Sequence, residues 1–510
     1  MRLANRRNRP PVARARFVYF NRHGRLNLYY LVIINTMGLE ATDPVSSDEL
    51  SSGRKSGGSS HSTTPNSTST YQYSHEPFLT FQHKVTALAS ELGAVAFDNI
   101  KRLRGGSYNR IITASLRWPN AEAGDATSEE VVLRIPRFLV DDETVDQDIQ
   151  DQSAVLNFVA TAGLPVPVVL AFDATRENAI NSPYALQSFL PGTRLDLVYN
   201  DMSLEEKLSI CDGLVEILAT MNSIRFPLPG RLGCDSIGSK KRLLLLEKPG
   251  QSAVSEKVEV RRFQVGLSNQ SDGPATSSLH ELLTGHLQGW LAYERSSIHD
   301  SSIGDMFERL LQITAEMADL GFFAPRSASE LSQPHHNFSI LYHWDLEPRN
   351  ILVERASSPP LPDLNERISW KITGLLDWDE IYCVPPILTR KPPVWLWDFS
   401  DDDVRSSDLL QGNDGDVDLL PSDTYNEDGD KMAADDVKIK RYFEAAIASE
   451  LYAEYGDAGG EVYRDEAYGK GRWLRRLWWF ALDGFSDNQH IKRFKRFEAE
   501  WVGFYEGSAK

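Results

Sequence analysis

Residues 341–353 read Leu-Tyr-His-Trp-Asp-Leu-Glu-Pro-Arg-Asn-Ile-Leu-Val, a polar segment between two short apolar runs, and residues 372–380 end a second apolar run in Leu-Leu-Asp-Trp-Asp-Glu. Runs of this length with β-branched residues are strands rather than helices. The chain must therefore carry chemically active side chains on two short strand-flanked loops. His343, Asp345 and Asn350 fit HxDxxxxN, in which the Asp faces an acceptor hydroxyl and the Asn, five residues on, reaches a magnesium ion. Asp377, closing the second run, is the residue to hold the magnesium that bridges nucleotide phosphates. A lone HxDxxxxN is a common accident; apolar runs on both sides and a second strand ending in Asp make this one specific.

On these residues the chain resembles the aminoglycoside phosphotransferase and choline kinase-like family of small-molecule kinases, over about residues 97–397. The resemblance implies an α+β, two-lobed protein-kinase-like fold, with a small antiparallel β-sheet N-lobe and a larger, mainly helical C-lobe. It further implies a phosphotransferase that uses ATP and Mg2+ and has an alcohol group of a small molecule as acceptor. Protein kinases carry a Lys two residues after the catalytic Asp and follow the metal Asp with Phe-Gly. Here Glu347 takes the first position and Trp378-Asp379 the second, which argues against a protein substrate.

Upstream, residues 97–103, 108–116 and 130–135 read as three consecutive strands, the second alternating through Tyr108, Arg110, Ile112, Ala114 and Leu116. Gly105, Gly106 and Ser107 sit in the first turn, where adjacent glycines let backbone amides approach a phosphate; an ordinary hairpin turn has the same composition. In the resemblance, Arg134 of Val131-Val-Leu-Arg-Ile-Pro136 stands where a kinase has its strand Lys. Arg also reaches phosphate, as a planar fork in place of a point charge. The matching acid on the following helix, residues 147–160, is replaced by Gln152, with Asp148 or Asp151 as substitutes for it. Residues 182–192, including Gln187, Ser188 and Phe189, resemble the hinge strand whose backbone pairs with adenine; an edge strand ending at Pro191-Gly192 has the same residues.

The remainder is helical. Leu204, Leu208, Cys211, Val215, Leu218 and Met221 form one 3.6-residue stripe, Met306, Leu310, Ile313, Met317 and Leu320 another, and residues 437–506 a last helical region. A helix is expected before the first strand, where Val85, Leu88, Ala89 and Leu92 share a face. Residues 355–369, polar and Pro-rich, read as a loop between strands 351–354 and 370–376, and the acidic stretch 401–436 as a solvated insertion. The expected organisation is a disordered extension over 1–76, a nucleotide-binding N-lobe over 77–190 and a C-lobe over 191–510. Residues 41–75 are rich in Ser, Thr and Gly and cannot offset the entropy of ordering.

Fifty-four basic against 72 acidic residues give a net charge of −18, which repels nucleic acid and anionic membrane. Cys211, Cys234 and Cys383 are widely spaced without a metal or disulfide pattern, which fits a reducing compartment and free thiols. Eight Arg precede the first acid, Glu40, the composition of a mitochondrial presequence, but Pro10-Pro11 interrupts an amphipathic helix and Met37-Gly38 is an equal candidate start. The apolar run 26–34 is too short to span a bilayer. A cytoplasmic location is expected, with a mitochondrial one open.

Each candidate answers one need of phosphoryl transfer, which consists of positioning and charge compensation. Asp345 orients the acceptor hydroxyl and takes its proton late; Asn350 and Asp377 are hard oxygen ligands for magnesium. His343 is expected to brace the loop through backbone hydrogen bonds. Asp379 reads as a cap or a solvated charge, less readily as a third ligand, and Glu347 and Arg349 pair with each other or with phosphate. Trp395, Trp397 and Phe399 ahead of Asp401–Asp403 suit either an aromatic and acidic mouth for a cationic acceptor or core tryptophans leading into a loop. The departures at Arg134 and Gln152 keep a second possibility in play, a pseudokinase-like nucleotide- or partner-binding module, and nucleotidyl transfer is a third.

Overall fold

The structure, a computed structural model, describes residues 19–20, 26–27, 76–103, 109–119, 127–137, 143–234, 241–243, 258–263, 275–296, 301–324, 338–357, 368–379, 381–399, 432–485 and 488–508. Apart from a short antiparallel ribbon of Tyr19–Phe20 with Leu26–Asn27, the expected extension lies outside the described residues. Gly105, Gly106 and Ser107 and most of the acidic stretch, residues 401–431, do as well.

Helix α1 (Phe78–Glu91) buries Phe81, Val85, Leu88 and Ala89, the face its periodicity marks. Strands β1 (Ala96–Arg102), β2 (Asn109–Trp118) and β3 (Thr127–Pro136) follow as an antiparallel meander. Helix α2 (Glu143–Thr161) then leads to β4 (Val169–Asp173) and β5 (Tyr184–Ser188). β5 pairs with both β3 and β4, so β3 is central and both its neighbours fix where Arg134 points. One face of the sheet packs Ile112, Ala114, Leu116 and Leu186 on α1; the other turns Phe172 and Ala185 toward Val155 and Val159 of α2.

After β6 (Thr193–Arg194) the chain enters α3 (Leu204–Ser223), started by a capping box in which Ser203 and Glu206 satisfy each other's backbone amides. β7 (Arg225–Phe226), β8 (Gly230–Cys234), β9 (Lys241–Leu243) and β10 (Val258–Arg261) come next, with β9 returning to the edge of the first sheet in the order β9-β4-β5-β3-β2-β1. Helices α4 (Leu279–Ser296) and α5 (Ser301–Asp319) precede β11 (Ser339–His343), β12 (Ile351–Ser357), β13 (Ile368–Leu375) and β14 (Ile381–Val384). The second lobe thus holds a five-stranded sheet, β10-β8-β14-β11-β7, and a three-stranded one, β13-β12-β6. It closes with α6 (Ala434–Leu451), α7 (Gly459–Ala467), α8 (Lys470–Asp483) and α9 (Asn488–Ser508). The fold is α+β and two-lobed, of the protein-kinase-like kind.

Three readings change. The last helical region is four helices, broken at Tyr452 and again around Gly469 and Gly484, where φ at Gly484 is +64° and a Cβ would fall 2.9 Å from the Trp290 ring. The acidic stretch ends inside α6, whose first turn takes Asp435 and Asp436 at the positive end of the helix dipole. The loop over 355–369 is shorter than its composition suggests, because β12 and β13 extend into it. Trp370 anchors that end by donating from its backbone N to Ser209 Oγ (3.0 Å) and from Nε1 to Glu206 Oε1 (3.0 Å). Among the described residues no helix is long and apolar enough to cross a membrane.

Candidate active site

The pairing of four strands decides where the two motifs meet. β11 pairs with β14 so that His343 faces Ile381, and β12 pairs with β13 so that Ile351 faces Leu375. The loop leaving β11 after His343 and the loop leaving β13 after Leu375 therefore emerge at the same end. Their backbones are joined there: the Leu376 amide donates to the Asn350 carbonyl at 2.8 Å.

His343 is buried in this junction and bonds both loops. Its Nδ1 accepts from the Asp345 amide at 3.2 Å, so Nε2 carries the proton and donates to the Leu376 carbonyl at 3.0 Å. Burial holds its pKa below the ordinary value, partly opposed by that bond to Leu376. A neutral, bracing histidine is what the structure shows. Pro348–Asn350 form a single 3-10 turn that seats Asn350 on Asp345: Nδ2 donates to Asp345 Oδ2 at 3.0 Å and to the Asp345 carbonyl at 2.9 Å. Arg349 Nη2 reaches both carboxylate oxygens of Asp345, at 2.6 and 2.8 Å. Asp345 is thus a partner of Arg349.

Asp377 has a φ of +64°, a left-handed conformation that a non-glycine residue adopts at a cost of about 1–3 kcal/mol when its surroundings impose it. Trp378 imposes it. That indole is buried, donates Nε1 to the Leu375 carbonyl at 3.0 Å and packs T-shaped with the His343 ring, the ring centroids 4.8 Å apart. With Trp378 wedged inward, the carboxylates on either side turn to the cleft. Burial first, and next the Asp379 charge, push the Asp377 carboxyl up to about 6, while Arg134 pulls it down; the Asp345 and Arg349 charges also register on it.

Arg134 answers the question of its counter-ion in an unexpected way. Nη2 contacts Asp379 Oδ1 and Oδ2 at 2.7 and 2.8 Å and lies 3.9 Å from Asp377 Oδ1. Asn109 of β2 adds a bond from Nδ2 to Asp379 Oδ2 at 3.1 Å. Asp379 is therefore neither cap nor solvated charge. Among the described side chains of helix α2, no acid is seen on Arg134, a correction to the substitutes expected there. Asp148 accepts from Arg231 Nη2 at 2.9 Å, and Asp151 accepts from Arg261 Nη1 at 2.6 Å and from the Cys234 amide at 3.0 Å. Gly233 makes that junction possible, since a Cβ there would fall 2.8 Å from Arg261 Cζ and 2.9 Å from Asp151 Oδ1.

In the hinge segment the amides of Ser188 and Phe189 are already used, donating to the Val168 and Glu130 carbonyls at 2.9 and 3.0 Å. An adenine there would have to use other backbone groups than these two amides, while the Phe189 side chain is exposed. Gln187 opposes Val132, and Ala185 opposes Arg134, so Gln187, Val132 and Arg134 share one sheet face. On that face two buried donors, Gln187 Nε2 and Arg134 Nε, have no hydrogen-bond partner in the structure. Native interiors rarely leave such donors empty unless a ligand or water fills them. A nucleotide lying along this face, with acceptors on base and phosphates, fits them.

The donor set for a cation is also coherent. Both bonds made by Asn350 Nδ2 go to Asp345, so its Oδ1 is the side-chain oxygen it could offer a cation, on a loop joined to the Asp377 loop by the Leu376–Asn350 backbone bond. Among the described residues no cluster of three or more His, Cys, Asp or Glu is arranged around a common point. Two protein oxygens suit magnesium, which keeps waters and phosphate oxygens as its other ligands. The aromatic mouth finds no support: Trp395 and Trp397 are buried, the first edge-on to Tyr199 at 5.9 Å and the second against Phe443 at 6.3 Å.

Comparison with known proteins adds three findings. The model of the phosphotransferase enzyme family matches residues 118–388, more than half of the chain. The proteins named altered inheritance of mitochondria protein 9, mitochondrial, are similar to it: that of Lodderomyces elongisporus is 24% identical over 306 residues, covering 52% of this chain and 45% of that protein. That of Clavispora lusitaniae is 23% identical over 323 residues, covering 53% and 48%. The chain thus spans about half the length of the curated relatives it matches. Among solved structures, a ternary complex of aminoglycoside phosphotransferase APH(4)-Ia with AMP-PNP and hygromycin B aligns at a TM-score of 0.35 and 12% identity, over 81% of this chain and 94% of that one. The streptomycin–ATP complex of APH(2'')-IIa aligns at 0.38 and 13%, over 83% and 97%.

Proposed function

The chain belongs to the phosphotransferase enzyme family, and from that premise we propose that it moves the γ-phosphoryl group of ATP, with magnesium, to a hydroxyl of a small molecule. The observation that carries this reading is the strand register that sets His343 opposite Ile381 and Ile351 opposite Leu375. It brings the Asp345–Asn350 loop and the Asp377 loop to one end of the two sheets, and the bond from Leu376 to Asn350 fixes their spacing. Asp345 is the base: held by Asn350 and Arg349, it accepts the acceptor's hydrogen bond and takes the proton as the new P–O bond forms. Asn350 Oδ1 and Asp377 are the magnesium ligands, and the cation, when bound, compensates phosphate charge. Arg134 addresses the phosphates from β3, and Gln187, Ser188 and Phe189 line the side for the base. Gly105, Gly106 and Ser107, which lie outside the described residues, are proposed from the sequence alone as the phosphate-contacting turn.

A screen of hydroxylated metabolites with γ-labelled ATP is the direct test. One product should appear with wild type, none with Asp345→Asn, and no AMP should be attached to it. A second reading, a pseudokinase-like nucleotide- or partner-binding module, is favoured by one observation, the grip of Arg349 on both Asp345 oxygens. Nucleotide binding with no phosphorylated product from any acceptor would select it. Because the similar proteins are named mitochondrial, we assign the chain to mitochondria, in place of the cytoplasmic expectation, with the Arg-rich segment ahead of Glu40 as the targeting sequence.

A further inference from the structure

We propose that Asp379, and no acid of helix α2, is the residue that positions Arg134 on the nucleotide phosphates, so that the phosphate clamp and the metal loop are one structural element. The proposal rests on the phosphotransferase reading and deepens it. Asp379 engages Arg134 Nη2 through both oxygens at 2.7 and 2.8 Å and receives a second N-lobe donor, Asn109 Nδ2, at 3.1 Å. Two neighbouring strands thereby aim at one carboxylate that is two residues from Asp377. The acids that a helix-borne counter-ion would need are engaged elsewhere, Asp148 with Arg231 and Asp151 with Arg261.

Arg134 is not saturated by this pair. Its Nε is buried without an acceptor in the structure, and a buried guanidinium donor in that condition waits for an anion. Both contacts are made by Nη2 alone, so Asp379 anchors one end of the guanidinium and leaves the Nε side for phosphate oxygens. Asp379 touches neither nucleotide nor acceptor in this scheme; it is a positioning residue.

The experiment uses the full chain and four proteins: wild type, Arg134→Met, Asp379→Asn and the double variant. Each is titrated calorimetrically with ADP in chelator, without metal, and with ATP and magnesium. The expected result is that Asp379→Asn weakens metal-free ADP binding on the order of tenfold, as loss of a charged hydrogen-bond partner does. The double variant should then bind no more weakly than Arg134→Met alone, and the KM for ATP should rise by a larger factor than kcat falls. Losses that multiply in the double variant overturn the proposal, as does metal-free ADP binding left intact while the magnesium complex weakens, which would make Asp379 a metal ligand. If Asp379→Asn does not fold, Arg134→Lys, which keeps the charge and loses the fork, must weaken ADP; unchanged binding overturns the proposal. A wild type that binds no nucleotide under either condition defeats the phosphotransferase reading and this proposal with it, whereas nucleotide bound by wild type with additive variants defeats this proposal alone.

Discussion

Asn350 donates from one side-chain nitrogen to both the carboxylate and the backbone carbonyl of Asp345, at 3.0 and 2.9 Å. In the proposed reaction this one side chain would both orient the Asp345 carboxylate and offer its oxygen to the cation. Asn350→Ala removes both functions together: product formation should drop by about a hundredfold or more, the size expected when a reacting group loses its alignment. The melting temperature should fall modestly, since the Asp345 carbonyl loses a partner worth about 1–3 kcal/mol. Retention of more than a tenth of the activity would argue against the shared role.

Asp377 gives a pH dependence with a definite sign. Its carboxyl is raised to about 6 by burial and by Asp379, so the fold resists its ionisation. The associated stability is complete below the ordinary Asp value and is lost as pH rises through about 6. In ligand-free protein, Asp377→Asn should therefore melt above wild type at pH 8, with the difference closing by pH 4. With ATP and magnesium the order reverses, because only wild type holds the cation and gains the ligand-dependent shift. A ligand shift of equal size in both proteins would remove Asp377 from the metal site.

His286 is fully buried on α4, edge-on to Phe263 and Trp478 at 6.0 and 5.8 Å, and neither ring nitrogen has a hydrogen-bond partner in the structure. Burial pushes its pKa down to about 4. Its contribution to stability is present above the ordinary His value and is lost as pH falls from there through about 4, to a total of roughly 3 kcal/mol. His286→Phe should flatten that limb of the stability curve between pH 6.5 and 4. Parallel acid limbs in the two proteins would mean another group titrates.

Trp378 separates the two acids of the metal loop from below. Trp378→Ala leaves a cavity and an unbonded Leu375 carbonyl, at about 3–5 kcal/mol. Activity should suffer more than stability explains, since the left-handed turn at Asp377 loses the buried neighbour that anchors its loop. The check is activity at a temperature where circular dichroism shows the variant folded.

A fluorescent fusion of residues 1–75 should co-localise with a mitochondrial marker, and substituting the eight arginines that precede Glu40 should release it to the cytosol. A diffuse signal from the unmodified fusion would exclude this segment as the targeting element.

Much of the candidate site was legible because its residues are close together in the chain. His343, Asp345 and Asn350 lie within eight positions, and the strands on either side announce themselves by apolar runs. The partner of Arg134 was not legible, because 245 positions separate it from Asp379 and nothing in either neighbourhood records the contact. The same holds for Arg231 and Arg261, whose strands went unassigned: β8 is short and glycine-rich, and only the alternation of Val258 and Val260 hinted at β10. Trp395 and Trp397 were ambiguous because an aromatic run before acids reads alike in a core and at a rim. Only the packing of Tyr199 and Phe443 against them separates the two. Helix α4 was missed although Leu282, Leu283 and Leu287 carry its stripe, since polar segments on either side diluted the signal.

The tie between α2 and strands β8 and β10 has a consequence for control. A helix whose carboxylates are locked to arginines of the opposite half cannot pivot on its own, so an activator that works by rotating it has nothing to rotate. In the reaction proposed here, control by moving this helix would first have to break the Asp148–Arg231 and Asp151–Arg261 pairs.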